Sequence, residues 1–162
     1  MRRVTAVLSA AAIVLSTVGV FAQAKPDFSG KWTLVPAAGG GGGGGGGRGG
    51  GRGGANWGMN PTITHTATTL NVVYMGGGQA PAEMKLTFNI GGAPTKRQMA
   101  ARGETVEVTD TAAWVGNSLV ITTKTPTVEQ KRTLTLKDGN LVMEFNSGRE
   151  GATPTTLTYK KG

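Results

Sequence analysis

Apolar and polar residues alternate with a period of two over most of this chain beyond residue 60. The alternation is clearest in residues 70–74, 84–90, 105–109, 128–136 and 141–145. Side chains in an extended strand point to opposite faces in turn, so this pattern places the apolar side chains of each segment on one face. It is typical of antiparallel sheets that have one face on a core and the other in water. An all-β fold is therefore predicted.

Turn-forming residues separate these segments at short intervals. Glycine-rich or asparagine- and aspartate-containing turns occur at residues 76–78, 91–94, 116–117 and 138–139. Together they predict eight to ten antiparallel strands of about five to seven residues. Short links between sequential strands favour a single up-and-down β-barrel, with a β-sandwich as the alternative. Helical periodicity is absent from residues 25–162, and residues 98–102 could form one helical turn at most.

The first 24 residues are typical of an export signal. A basic start is followed by a largely apolar stretch over residues 4–21, and the small residues of the sequence AQA end at Ala24. Cleavage after Ala24 would leave residues 25–162 as one barrel domain, located in the periplasm or secreted and without a transmembrane segment. Because the apolar stretch approaches the length of a membrane span, an uncleaved anchor is the competing interpretation.

Residues 39–54 form a tract of glycine interrupted only by Arg48 and Arg52. Such a segment has no apolar surface to bury and is costly to order, so we expect a flexible loop after the first strand. Two arginines in an exported chain give little support to nucleic-acid binding. Trp57 follows the tract with no strand pattern around it, so its loss should cost much less stability than the loss of Trp32.

Residues that could carry catalysis or bind a metal are scarce. His65 is the only histidine and lies between threonines, cysteine is absent, and no serine stands in a Gly-x-Ser-x-Gly turn. One histidine without cysteine cannot form a usual zinc site. We therefore expect no catalytic residues, no metal, no cofactor and no enzymatic activity. The formal net charge of +8, which falls to +6 when Arg2 and Arg3 are removed, is compatible with contact with anionic surfaces of the cell envelope, and the simpler interpretation is that it aids solubility. A monomer is expected.

The start of the predicted barrel carries a short recognisable motif. Gly30-Lys31-Trp32 resembles the Gly-x-Trp opening motif of the lipocalin and fatty-acid-binding barrel families. In those families the tryptophan plugs one end of the barrel, and the resemblance implies the same role for Trp32. An arginine stacks on this tryptophan in lipocalins, and here the nearest candidates are Lys160 and Lys161.

The order of further motifs resembles a group of small exported bacterial proteins of the lipocalin-like (calycin) type. Matching patterns are the opening at residues 26–34, a central hairpin at residues 113–121 and a Leu-x-Leu-x-Asp-Gly hairpin at residues 134–139. The resemblance implies a barrel that binds a small molecule. The glycine tract takes the place of the long first loop that covers the pocket in lipocalins.

Four aromatic residues stand in phase with the apolar residues of their strands and are the candidates for a pocket wall: Tyr74, Phe88, Trp114 and Phe145. An interior lined in this way would suit an apolar or amphipathic molecule and would contain few charges. The alternative is that these side chains fill the barrel completely. The leading hypothesis is thus an exported binding protein, and the alternative is a structural or interaction protein of the envelope.

Overall fold

The structure is a computed structural model that describes residues 24–36, 57–76, 81–101 and 104–162. The predicted export signal, apart from Ala24, and the glycine tract at residues 39–54 lie outside the described residues. Their expected roles therefore stay predictions.

The described residues form ten β-strands. In chain order they are β1 Gly30–Leu34, β2 Thr62–His65, β3 Thr69–Met75, β4 Glu83–Asn89, β5 Thr95–Ala101, β6 Glu104–Val115, β7 Ser118–Lys124, β8 Glu129–Lys137, β9 Asn140–Asn146 and β10 Thr155–Lys161. None of the described residues lies in a helix, so none of them belongs to a helix long enough to cross a bilayer.

The strands make one antiparallel sheet in the order β4-β3-β2-β1-β10-β9-β8-β7-β6-β5. Each strand pairs with the strands before and after it in the chain, except that β4 and β5 do not pair with each other and form the two edges of the sheet. In addition, β1 pairs with β10. The connection between these two edges contacts β6, where the N–H of Gly91 donates to the carbonyl of Ala112 at 2.7 Å. The predicted all-β, up-and-down barrel is confirmed in a nearly closed form, and a sandwich is not formed.

One segment differs from its sequence-based interpretation. Residues 98–101 belong to β5 rather than to a helical turn, because all of β5 pairs with β6. Arg97 stands opposite Val108 and Met99 opposite Val106. The charged and polar residues of β5 obscure the alternation of apolar and polar positions in its sequence. Its pairing with the longer β6 shows that it is a strand.

The two ends of the barrel differ in how tightly their interiors are packed. The lower end is the one where β1 begins at Gly30 and β6 ends at Val115, and the upper end is the one where β3 ends at Met75. Fully buried apolar side chains fill the lower and middle interior, among them Leu70, Val72, Leu119, Ile121, Leu134, Leu141 and Met143. Towards the upper end the inward positions are only half-buried, as at Tyr74, Leu86, Met99 and Val106. The barrel thus has a solid base and a more open top.

Candidate functional site

The opening motif closes the barrel by joining the first strand to the last. Trp32 is 2% exposed, and its Nε1–H donates to the carbonyl of Phe28 at 2.9 Å. Trp32 pairs with Lys161 across β1 and β10, and the ammonium of Lys161 lies 5.7 Å from the centre of the indole ring. Of the two candidates from the sequence, Lys160 and Lys161, it is therefore Lys161 whose ammonium lies over the tryptophan. Gly30 allows this approach, because a Cβ there would lie 2.9 Å from Lys161 Cε.

Among the four predicted pocket residues, Trp114 lies at the lower end of the barrel. Its ring stacks on that of Phe28, with 5.8 Å between centroids and 16° between planes. Phe28 is fully buried, so the residues just before β1 cover this end. Trp114 is half-buried there.

The other three predicted residues lie elsewhere in the barrel, and Phe88 stands opposite Leu70 towards the lower end of β4. Phe88, 1% exposed, packs against Trp57 with ring centres 6.5 Å apart. The guanidinium of Arg132 lies 4.9 Å above the ring of Phe145, and the half-buried Tyr74 ends β3 near the upper end. The four aromatic residues are thus spread over both ends of the barrel rather than collected on one patch.

Trp57 is part of this interior, so the prediction that it lies outside the core is wrong. It is 1% exposed, and its backbone N–H donates to the hydroxyl of Tyr159 at 3.2 Å. Its indole Nε1 is buried and has no hydrogen-bond partner among the described residues. Burial raises the pKa of Tyr159 to about 12, so its hydroxyl stays neutral at ordinary pH.

The prediction that the interior holds few charges is also wrong. Asp110 is 2% exposed and Arg132 is 7% exposed. Arg97 Nε donates to Asp110 Oδ2 at 2.6 Å, and Thr123 Oγ1 donates to Asp110 Oδ1, also at 2.6 Å. Asp110 and Thr123 are directly paired across β6 and β7. A buried ionic network therefore stands among apolar residues.

Arg132 is a further buried charged residue of the barrel interior. Burial lowers the pKa of its guanidinium, and the positive charge of Arg97 lowers it further. Tyr74, Asp110 and Tyr159 act in the opposite direction and raise it. An arginine nevertheless keeps its charge in proteins. Arg132 therefore places a positive charge in the interior of the barrel.

The sequence contained a signal for these residues. Asp110 stands in phase with Val108 and Ala112, and Arg132 stands in phase with Leu134. A charged residue at a position that the alternation assigns to the buried face of a strand is costly to bury, and it therefore indicates an internal polar site. Asp110 and Arg132 could have been singled out in this way. Among the described residues, no group of three histidine or acidic side chains could hold a metal ion.

Solved structures share this architecture although their sequences differ. The wild-type fluorescent protein UnaG is 16% identical, with 83% of this chain and 97% of that chain covered at a TM-score of 0.58. Lipid binding protein 8 of Caenorhabditis elegans is 15% identical over 83% and 95% of the two chains at 0.53. Human cRBP IV is 13% identical over 85% and 99% at 0.51.

The sequence itself matches no protein-family model and no curated protein sequence. At these identities the structural likeness establishes the fold alone. The chain therefore shares the antiparallel β-barrel fold of these solved structures.

Proposed function

We propose that this chain is an exported, non-enzymatic binding protein that holds one small amphipathic molecule in the upper half of its barrel. An acidic head group would lie at Arg132. The apolar part would lie against Tyr74 and Phe145, with the buried Phe88 below them. Trp114 lies at the lower end and takes no part in this site.

A buried guanidinium in the upper interior carries the proposal. Arg132 is 7% exposed, and its guanidinium lies 4.9 Å from the centre of the Phe145 ring. It therefore places a cation beside an apolar surface, and these are the two features that bind the two parts of an amphipathic acid. Guanidinium–carboxylate hydrogen bonds are among the strongest that proteins make, and they are frequently bidentate.

The loosely packed upper interior supports a place for the apolar part. Leu86, Met99 and Val106 point inward but are only half-buried, so their remaining apolar surface is available to a ligand. Burying such surface contributes about 25 cal/mol per Å². The buried layer beneath, with Leu134 and Met143, would be the floor of the pocket.

The class of ligand is also supported by two proteins of the same fold. One is named as a fatty acid transporter, REP1-NXSQ, which is 14% identical with 83% of this chain covered at a TM-score of 0.53. The other is the lipid binding protein 8 described above. A fatty acid is an apolar molecule with an acidic group, so the first of these names agrees with an acid at Arg132.

Export to the periplasm or the medium is part of the proposal and rests on the first 24 residues. The intact mass of protein from cells that express the full-length chain tests it. A chain that begins at Lys25 is expected, and one that retains residues 1–24 would contradict export by cleavage.

A second candidate is an envelope protein with a filled barrel and a basic surface that contacts anionic envelope components. The tightly packed lower half, with Leu119, Ile121 and Leu141 all fully buried, favours it. A binding experiment separates the two candidates, because a filled barrel has no internal site that depends on Arg132.

The experiment titrates the purified protein with a fluorescent long-chain fatty acid and, in parallel, with its uncharged methyl ester. Arg132→Gln should weaken binding of the acid by about tenfold or more, since a hydrogen bond to a charged group contributes about 1.5–3 kcal/mol. The ester should bind both proteins alike. Lys131→Gln is the matched control, because Lys131 is the exposed neighbour on the same strand.

Two results would reject the internal site. One is the absence of saturable binding to the folded wild-type protein, which would favour the filled barrel. The other is equal loss of acid binding in the Arg132 and Lys131 variants, which would place the probe on the outer surface. Unfolding midpoints of all variants show that the comparison is made between folded proteins, and Arg132→Lys, which keeps the charge, should retain part of the affinity.

A further inference from the structure

A cleft of about 350 Å³ opens at the lower end of the barrel, away from the proposed internal site. Its lining consists of Lys25, Asp27, His65, Thr66, Ala67 and Trp114. The cleft combines an aromatic surface with a carboxylate. These are the two groups by which proteins recognise organic cations.

A cation of the protein itself already occupies this environment. The ammonium of Lys25 lies 5.6 Å from the centre of the Trp114 ring and donates a hydrogen bond to the carbonyl of Gly116 at 2.8 Å. The distance is within the range of cation–π attraction. The cleft therefore accommodates an alkylammonium group over Trp114.

The aromatic surface is held rigidly. Phe28 stacks on the Trp114 ring, and the ring of His65 lies 5.8 Å from it at an angle of 55°. Phe28 is fully buried, and β2 holds His65. A rigid aromatic surface binds a cation without the entropic cost of ordering it.

Asp27 supplies a negative charge at the mouth of the cleft. Its Oδ1 accepts the backbone N–H of Ser29 at 2.8 Å, and its side chain remains 72% exposed. Hydrogen bonds from Ser29, more than the nearby His65, lower the pKa of this carboxyl. The carboxylate is therefore charged at neutral pH and accessible to a ligand.

The lining also contains a polar atom without a partner. His65 Nδ1 accepts the backbone N–H of Phe28 at 3.3 Å. The His65 side chain is 8% exposed, and its Nε2 is buried with no hydrogen-bond partner among the described residues. This buried nitrogen is not accessible to a ligand, so His65 contributes its ring to the wall of the cleft.

We propose that this cleft is a binding site for a small alkylammonium ion, which displaces the ammonium of Lys25 from Trp114 and lies between Trp114 and the carboxylate of Asp27. Lys25 is then a built-in competitor, and its removal strengthens binding. The site is independent of the barrel interior. Variants of Arg132 leave it unchanged.

The test is an NMR titration of the full-length gene product, as purified, with tetramethylammonium chloride. Sodium chloride at equal concentration is the control for ionic strength. The chain has three tryptophans and one histidine, so the Trp114 indole signal, assigned with Trp114→Phe, and the His65 ring signals report directly on the cleft. Saturable shifts of both are expected.

The variants give opposite results. Lys25→Ala should bind about threefold or more tightly, because it removes the competing cation. Asp27→Asn should bind about threefold or more weakly, because it removes the charge at the mouth. Lys31→Ala removes an exposed lysine outside the cleft and should leave the affinity unchanged.

The proposal is overturned if the shifts match those caused by sodium chloride or do not saturate. It is also overturned if Lys25→Ala fails to strengthen binding, or if Asp27→Asn binds as tightly as the wild type. Asp27 and Lys25 are surface residues, so these variants remain folded, and their unchanged amide spectra away from the cleft verify it.

Discussion

The hydroxyl of Tyr159 on the last strand accepts a hydrogen bond from the backbone N–H of Trp57, which lies 102 residues earlier in the chain. This contact places Trp57 inside the barrel, with its ring against Phe88. The chain that follows the glycine tract therefore contributes directly to the core. It also brings an indole into the region where Arg132 and Phe145 lie.

Trp57→Ala should reduce the free energy of unfolding by about 3–5 kcal/mol, the range typical of large aromatic deletions from a core. Trp32→Ala should cost a similar amount, since both side chains are at most 2% exposed. Urea denaturation provides the measurement. Val115→Ala is the control, because Val115 is 64% exposed, and it should change stability by about 0.5 kcal/mol or less. A loss below about 1 kcal/mol for Trp57→Ala would contradict its place in the core.

Tyr159→Phe should make the free energy of unfolding fall less steeply as the pH rises above about 10. The pKa of Tyr159 is raised to about 12 in the folded protein, against an ordinary value of about 10. Between these values the folded state binds more protons than the unfolded state, so stability is complete below about pH 10 and is lost as the pH rises towards 12. The loss from this group is at most about 3 kcal/mol. Urea midpoints between pH 9 and 12 measure it, and parallel profiles for wild type and variant would contradict the assignment.

Thr123→Val should destabilise the protein by about 1.5–3 kcal/mol, because it removes a hydrogen bond to a buried carboxylate. The donor distance to Asp110 is 2.6 Å, and valine keeps the shape of the side chain. Thr122→Val is the matched control, since Thr122 is the adjacent residue on β7 and lies on the opposite face. Chemical denaturation of both variants gives the comparison. Equal effects of the two substitutions would show that the Asp110 network does not depend on Thr123.

Gly30→Ala should cost about 1–3 kcal/mol through its backbone conformation, because φ at Gly30 is +144° and residues with a Cβ are strained there. The nearby Lys161 side chain is flexible and can move aside. Adding Lys161→Ala to Gly30→Ala should therefore recover little of the lost stability. Thermal and urea midpoints of the single and double variants test this, and recovery in the double variant would assign the cost to the contact with Lys161 instead.

Local patterns were sufficient to predict much of the architecture. The period of two predicted strands such as β3, β4 and β9, and short turns such as Asp138-Gly139 predicted that neighbours in the chain pair with each other. The Gly30-x-Trp32 motif identified a tryptophan that is buried where the first and last strands pair, and two candidates for the cation beside it. These features depend on residues within a few positions of one another, so they can be predicted without a structure.

The barrel interior required the tertiary structure. Alternation showed which side chains point inward, but not that Arg97 reaches Asp110 across a distance of 13 residues in the chain, nor that Trp57 meets Tyr159. Such contacts arise from strand register and from closure of β1 on β10, which bring together residues with no local relation. Sequence alone therefore determined the all-β class and the inward faces of the strands, and left both a barrel and a sandwich open. Closure of the sheet decided where charge is buried, which aromatic residues form the core, and that Lys25, Asp27 and Trp114 share one cleft.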